Sequence, residues 1–308
     1  MALAPTSPSG GAIYVDNSVY TLTVDGSSNI SGNRAGVSGG AIYVGFMVST
    51  LTVNGSSTVS GNSALRVSGG AIYVGYRVDN LTIDGSSTIS GNSALRVSGG
   101  AIFVRDRVDN LTIDGSSTIS GNRAGGDCGA IYVNGTVGTL TVDGSSTISG
   151  NRAIGGRGGA IYVSGNVSTL TVNGSSTISG NLGDGGSGGA IYVNGTVGTL
   201  TVDGSSTISG NRANDSGGAI FVYTSVHSLT VNGSSTISGN RADGGSGGAM
   251  YVYSTVDTLT VDGSSTISGN SAFGDGGAMY VYSTVDTLTV DGSSTISGNS
   301  AGNSGGIT

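Results

Sequence analysis

Gly39-Gly40-Ala41-Ile42-Tyr43-Val44, then Leu51-Thr52-Val53-Asn54-Gly55-Ser56-Ser57, then Val59-Ser60-Gly61-Asn62: nearly the same text recurs from one end of the chain to the other. The Ile after Gly-Gly-Ala, or the Met that replaces it, falls at 13, 42, 72, 102, 131, 161, 191, 220, 250 and 279, with a truncated copy at Ile307. The period is 29 or 30 residues. A unit that short cannot bury its own apolar side chains, so the repeats must bury one another as the coils of a solenoid.

Working outward, Ala41-Ile42-Tyr43-Val44 reads as a first short strand, Thr50-Leu51-Thr52-Val53 as a second and Thr58-Val59-Ser60 as a third. Alternation points Ile42, Val44, Leu51, Val53 and Val59 inward, and Tyr43, Thr50, Thr52, Thr58 and Ser60 outward. Three strands joined by tight turns make one coil, and coils stacked about 4.8 Å apart give about ten rungs and a rod roughly 50 Å long. The sequence therefore predicts an all-β parallel β-helix. It divides into an N-terminal tail at 1–9, a repeat array at 10–299 and a partial terminal repeat at 300–308. Length varies between copies only between the Asn after the third strand and the next glycine pair, as at 34–38, 63–68, 93–98 and 123–127. A segment that tolerates an inserted residue is an exposed loop on one edge.

Composition agrees. The 308 residues include 60 Gly, and only 9% are charged, against about a quarter in an ordinary soluble domain. There is no Lys, Glu, Gln or Trp, so the best helix formers are missing, while Val, Ile, Thr and Tyr are plentiful. The net charge of -7 and the scattered Arg residues argue against a nucleic-acid partner. No apolar run is long enough for a transmembrane segment, and the first residues do not form a secretory signal. Either such a signal has been removed, or the chain is a piece of something longer. Cys128, the single cysteine, stands where other copies carry the first Gly of Gly-Gly-Ala; it has no partner for an intrachain disulfide.

A regular repeat stacks like on like, so each position becomes a column. The Leu column (22, 51, 81, 111, 140, 170, 200, 229, 259, 288) never varies and fits a continuous core. Asn33, Asn62, Asn92, Asn122, Asn151, Asn181, Asn211, Asn240, Asn270 and Asn299 are also constant, and are expected to form a structural ladder in which each amide bonds to the rungs above and below. An aromatic column includes Tyr43, Tyr73, Tyr132, Tyr162 and Tyr192, with Phe at 103 and 221, so stacking rather than the hydroxyl is its common property. These tyrosines, with Thr139, Thr141, Thr169, Thr171, Thr199 and Thr201, are the candidate binding faces; whether the tyrosines face in or out is left open by alternation alone.

The Asp or Asn before Gly in each second turn, Asp84 and Asn54 for example, exchange freely because both are turn formers. Calcium between stacked carboxylates is the one cofactor to weigh, though the nonapeptide pattern of calcium-binding β-rolls is absent. No catalytic residue is singled out. Every recurrent Asp lies in the same turn, whereas glycosidase chemistry needs two carboxylates in unlike environments, and His227 has no second histidine. Polysaccharide lyases on β-helices resemble the architecture but carry irregular repeats with one charged groove. The chain reads as non-enzymatic.

Gly-Gly-Ala-Ile, intact at 10–13, 39–42, 69–72, 99–102, 158–161, 188–191 and 217–220, resembles the repeat of the polymorphic outer-membrane proteins, autotransporter adhesins of chlamydiae. That family pairs it with Phe-x-x-Asn; here Ile30-Ser31-Gly32-Asn33 and its copies carry Ile or Val for Phe. The resemblance implies a right-handed β-helix at the cell surface or outside the cell, acting in adhesion toward a host-surface or glycan receptor as a rigid stalk. End coils without a polar cap add the expectation of end-to-end self-association into filaments. Thr21-Leu22-Thr23 and its copies also look like the Thr-x-Thr arrays of β-solenoid antifreeze proteins, which implies ice binding as an alternative. The near identity of the copies fits a designed or consensus scaffold as a further one.

Overall fold

The computed structural model describes residues 9–303, so the truncated copy at Ile307 and nearly all of the N-terminal tail lie outside the described residues. The fold is an all-β parallel solenoid of ten coils. We number coils from the first glycine of each Gly-Gly-Ala, so that they begin at residues 10, 39, 69, 99, 128, 158, 188, 217, 247 and 276. In the second coil the strands are Ile42–Val44, Val48–Val53, Thr58–Ser60 and Ser63–Ala64. Each strand pairs in parallel with its counterpart one coil away, and four ten-stranded sheets result. The register is like on like throughout: Leu51 lies over Leu22 and under Leu81, and Tyr43 over Tyr14 and under Tyr73.

The side-chain pattern is the one alternation predicts. Ile42, Val44, Val48, Leu51, Val53 and Val59 are buried, and the same six positions of every inner coil form one continuous core. Parallel sheets suit this arrangement because the turn of each coil returns the chain to the same edge one rung on, with no crossover helix. In the outermost described coils the core is open on one side, and Leu288 is 51% exposed.

Two details differ from the sequence reading. The second strand starts earlier, at Val48, which adds another inward position. There are also four strands per coil rather than three; the fourth is two residues long, as at Arg34–Ala35 and Ser63–Ala64, and alternation over two residues carries no signal. Its constant feature is the small inward residue, Ala in nine coils and Gly183 in one.

That fourth strand explains Gly-Gly-Ala-Ile. Gly39 has φ +61°, in the left-handed region. Gly40 has no room for a side chain: a Cβ would collide with the Gly70 carbonyl and stand 2.5 Å from Ser63 N, where the coil closes against its own beginning. Ala41 and Ile42 are then both fully buried. Cys128 is the one non-glycine residue among those described with positive φ, at 60°. It is buried, its thiol donates to the Ala160 carbonyl at 2.9 Å, and it sits in the left-handed conformation that glycine adopts in the other coils.

Candidate functional site: outward columns and the loop edge

The ladder of asparagines lies inside the turn between the third and fourth strands. The inner members, Asn62, Asn92, Asn122, Asn151, Asn181, Asn211, Asn240 and Asn270, are fully buried, and Asn33 and Asn299 at the ends are half-buried. Asn62 shows the pattern. Its backbone N–H and one Nδ2–H both donate to Asn92 Oδ1 at 3.0 Å, and the other Nδ2–H donates to the Ile30 carbonyl in the preceding coil at 2.9 Å. Its own Oδ1 accepts the same pair of bonds from Asn33 at 3.0 Å. Every donor and acceptor of the buried amide is satisfied, so these residues hold coils together and leave nothing free for a ligand.

The threonines stand in two half-exposed columns on the second sheet: Thr139, Thr169 and Thr199 in one, Thr141, Thr171 and Thr201 in the other, each in register with the next. The first column is interrupted by Asn80, Asn110 and Ser228. The Asp-Gly and Asn-Gly turns use their side chains alike. Asn54 Oδ1 accepts from Gly55 N at 2.6 Å and Asp114 Oδ1 from Gly115 N at 2.6 Å, so one residue replaces the other without loss. Among the described residues no group of three His, Cys or Asp side chains is placed to hold a metal ion.

The aromatic column points away from the main core but is not an open face. Its rings stack at 4.7–5.3 Å between centroids from Tyr14 to Tyr280. Tyr73, Tyr162, Tyr192, Phe221 and Tyr251 are buried, while Tyr43 and Tyr132 are half-buried. Two residues contribute to the cover: Cys128, at the start of its coil, joins the ring cluster, and from the variable loop the Arg157 guanidinium stands 5.2 Å from the centre of the Tyr192 ring. Burial pushes the Tyr192 and Tyr251 hydroxyls up to about 12, and raises Tyr73, Tyr132 and Tyr162 as well. The question that alternation left open is answered in part by direction: the column turns away from the main core but lies under this roof.

A second set of rings, open to solvent, lies in the turn between the first and second strands. Tyr223, Tyr253 and Tyr282 stack at 5.1 and 5.2 Å, and Phe46 stacks on Tyr76 at 4.9 Å. All five are more than 40% exposed. Sequence reasoning passed over them because they do not recur in every coil; the signal was Tyr-Val-Tyr at 251–253 and 280–282, in which alternation puts both rings on one side. His227, exposed, pairs through Nδ1 with Asp257 at 2.9 Å across one rung.

The model of the Chlamydia polymorphic membrane protein repeat matches residues 27–45, 145–164 and 205–223. Each match runs from the third strand through the Asn turn, the fourth strand and the variable loop to the next first strand. The matched stretches and the parallel solenoid fit a repeat of the polymorphic-membrane-protein type. No curated protein and no solved structure shows a match to the chain. Both stretches that carry the resemblance have a physical basis here. In Ile30-Ser31-Gly32-Asn33 the Ile enters the core and its carbonyl receives the amide of Asn62, while the Asn begins the ladder. In Gly-Gly-Ala-Ile the glycines close the coil, as at Gly40 and Ser63. No helix among the described residues is long and apolar enough to cross a membrane.

Proposed function

We propose that this chain is a non-catalytic adhesive β-solenoid, extracellular or at the cell surface, in which the coils form a rigid stalk and the loops after the fourth strand meet a host-surface or glycan receptor. One observation carries this reading: an invariant scaffold presents its only length-variable segment at an exposed edge, where Arg66, Leu95 and Arg96 face solvent. The outward columns repeat one chemistry from coil to coil, which suits a surface better than a cleft with two unlike catalytic groups. Outer-membrane association of the matched repeat type supports the location.

Replacing loops 65–68 and 95–98 with Gly-Ser sequence tests the proposal. Binding to host cells or to a glycan array is expected to fall at least about tenfold with the far-UV circular dichroism unchanged. Equal binding by the loop-replaced chain would sink the loops as the receptor site.

The same reading includes head-to-tail association between copies, the open arrangement that a repeating rung permits. Sedimentation showing only monomers at high concentration counts against it. A second reading rests on the in-register threonine columns: ice binding through a flat hydroxyl and methyl face. Ice crystals grown with the protein would be faceted if it holds, and unchanged in shape if it does not.

A further inference from the structure

The turn between the first and second strands forms one edge of the rod, and its character changes along it. Phe46 and Tyr76 stand exposed in coils 2 and 3, and Tyr223, Tyr253 and Tyr282 in coils 8, 9 and 10. Between them, coils 5, 6 and 7 carry only small residues at the edge: Asn134-Gly135, Ser164-Gly165 and Asn194-Gly195. Bulky aromatic stations thus lie on both sides of a flat centre at coil 6.

Charge divides the same way. Residues 1–157, the first five coils, hold nine Arg and nine Asp, and residues 158–308 hold two Arg and nine Asp, so the whole net charge of -7 belongs to the second half. At the edge itself Arg77, Arg105 and Arg107 accompany the first aromatic station, with Arg77 and Arg107 ion-paired to Asp79 and Asp109 at 2.9 and 3.1 Å. Asp257 and Asp286, both exposed, accompany the second.

We propose that this edge pairs with the same edge of a second copy, antiparallel, about a two-fold axis through coil 6. In that arrangement coil 2 meets coil 10 and coil 3 meets coil 9. Phe46 then faces Tyr282, Tyr76 faces Tyr253, and Arg77 comes opposite Asp257, each contact occurring twice as an isologous interface requires. The glycines at the centre let the two backbones approach closely. A parallel pairing in register would set aromatic stations together but would also set the acidic halves against each other. The edge is narrow, on the order of 45 Å by 10 Å, which places the interface at the small end for specific complexes and makes the association a weak, reversible one.

Sedimentation equilibrium of the full chain from about 1 to 300 µM tests the pairing, and is expected to show a reversible monomer–dimer equilibrium that Tyr253→Ser with Tyr282→Ser weakens at least about tenfold. Cysteine cross-linking tests its geometry, because buried Cys128 does not compete. Ser164→Cys, on the axis, is expected to oxidise to a covalent dimer alone, whereas Phe46→Cys and Tyr282→Cys link only when the two variants are mixed. All these positions are at the surface, and circular dichroism checks that each variant keeps the solenoid. A chain that stays monomeric across the range overturns the proposal, as does Phe46→Cys linking to itself, which marks a parallel pair. Open-ended polymers without a Ser164→Cys dimer mark the head-to-tail contact instead. A monomer that holds a Lys- and Arg-rich peptide through Tyr253 and Asp257 overturns it in favour of a cationic partner.

Discussion

A primary amide carries two donors and an acceptor on a short arm, and a buried turn repeated every 29 or 30 residues needs that combination. Asn122 accepts from the Asn92 backbone N–H and Nδ2 at 3.0 Å, and itself donates to the Ile89 carbonyl and to Asn151. Asn122→Ala strands the two Asn92 donors and the Ile89 carbonyl, at about 1–3 kcal/mol for each buried group left unpaired. A loss of about 3 kcal/mol or more is expected in a urea titration. Asn122→Asp is expected to cost more at neutral pH, because a buried carboxylate offers no donor to Ile89 and faces Asn151 Oδ1. Cys128 gives a second test at this scale. Burial raises its thiol well above the usual range and removes it from solvent, so a thiol reagent at pH 8 is expected to leave the native protein unlabelled and to react fully once denaturant is added. Labelling of the native chain would show that the coil opens there.

At the scale of the element, the ring column behaves as a second, smaller core under the loop. The folded state holds Tyr192 and Tyr251 neutral to about 12, against 10.0 for a free tyrosine, so it binds their protons more tightly than the unfolded chain does. Their contribution to stability is whole below pH 10 and is lost as pH rises from 10 toward 12. Absorbance of tyrosinate and circular dichroism, followed together through that window, are expected to change in one step for these rings. How much of this was legible in the sequence depended on length of pattern. Three strands show alternation over three residues or more, and their inward positions were readable. Ser63–Ala64 is too short to alternate, and its one trace is the Ala column. The Tyr column was readable as a stack, but its roof comes from loop residues such as Arg157, 35 positions before Tyr192 in the chain, with no periodic mark to announce the contact. The asparagine ladder was legible because only one role fits an invariant amide in a buried turn.

For the whole molecule, the coils are interchangeable parts. Removing residues 161–190, which joins Ala160 to Ile191, deletes one complete rung and leaves every remaining register possible. The shortened chain is expected to keep the same circular dichroism per residue and to be shorter by about 4.8 Å, measurable by small-angle scattering. A core truncation has a different effect. Leu140→Ala, in the middle of the stack, is expected to cost about 2–5 kcal/mol and to make unfolding begin at the fifth coil rather than at an end. Hydrogen exchange faster in that coil than in its neighbours would show it.

Since each rung is matched to its neighbour by residues nearly identical to those of every other rung, the side chains cannot tell one pairing partner from another. Correct threading therefore depends on order of arrival: a newly released segment finds only the most recently completed edge to copy. A chain of this kind is best assembled like brickwork, course upon course from one direction. Refolding from dilute denaturant, where all segments compete at once, should be slower and lower in yield than emergence through a narrow exit.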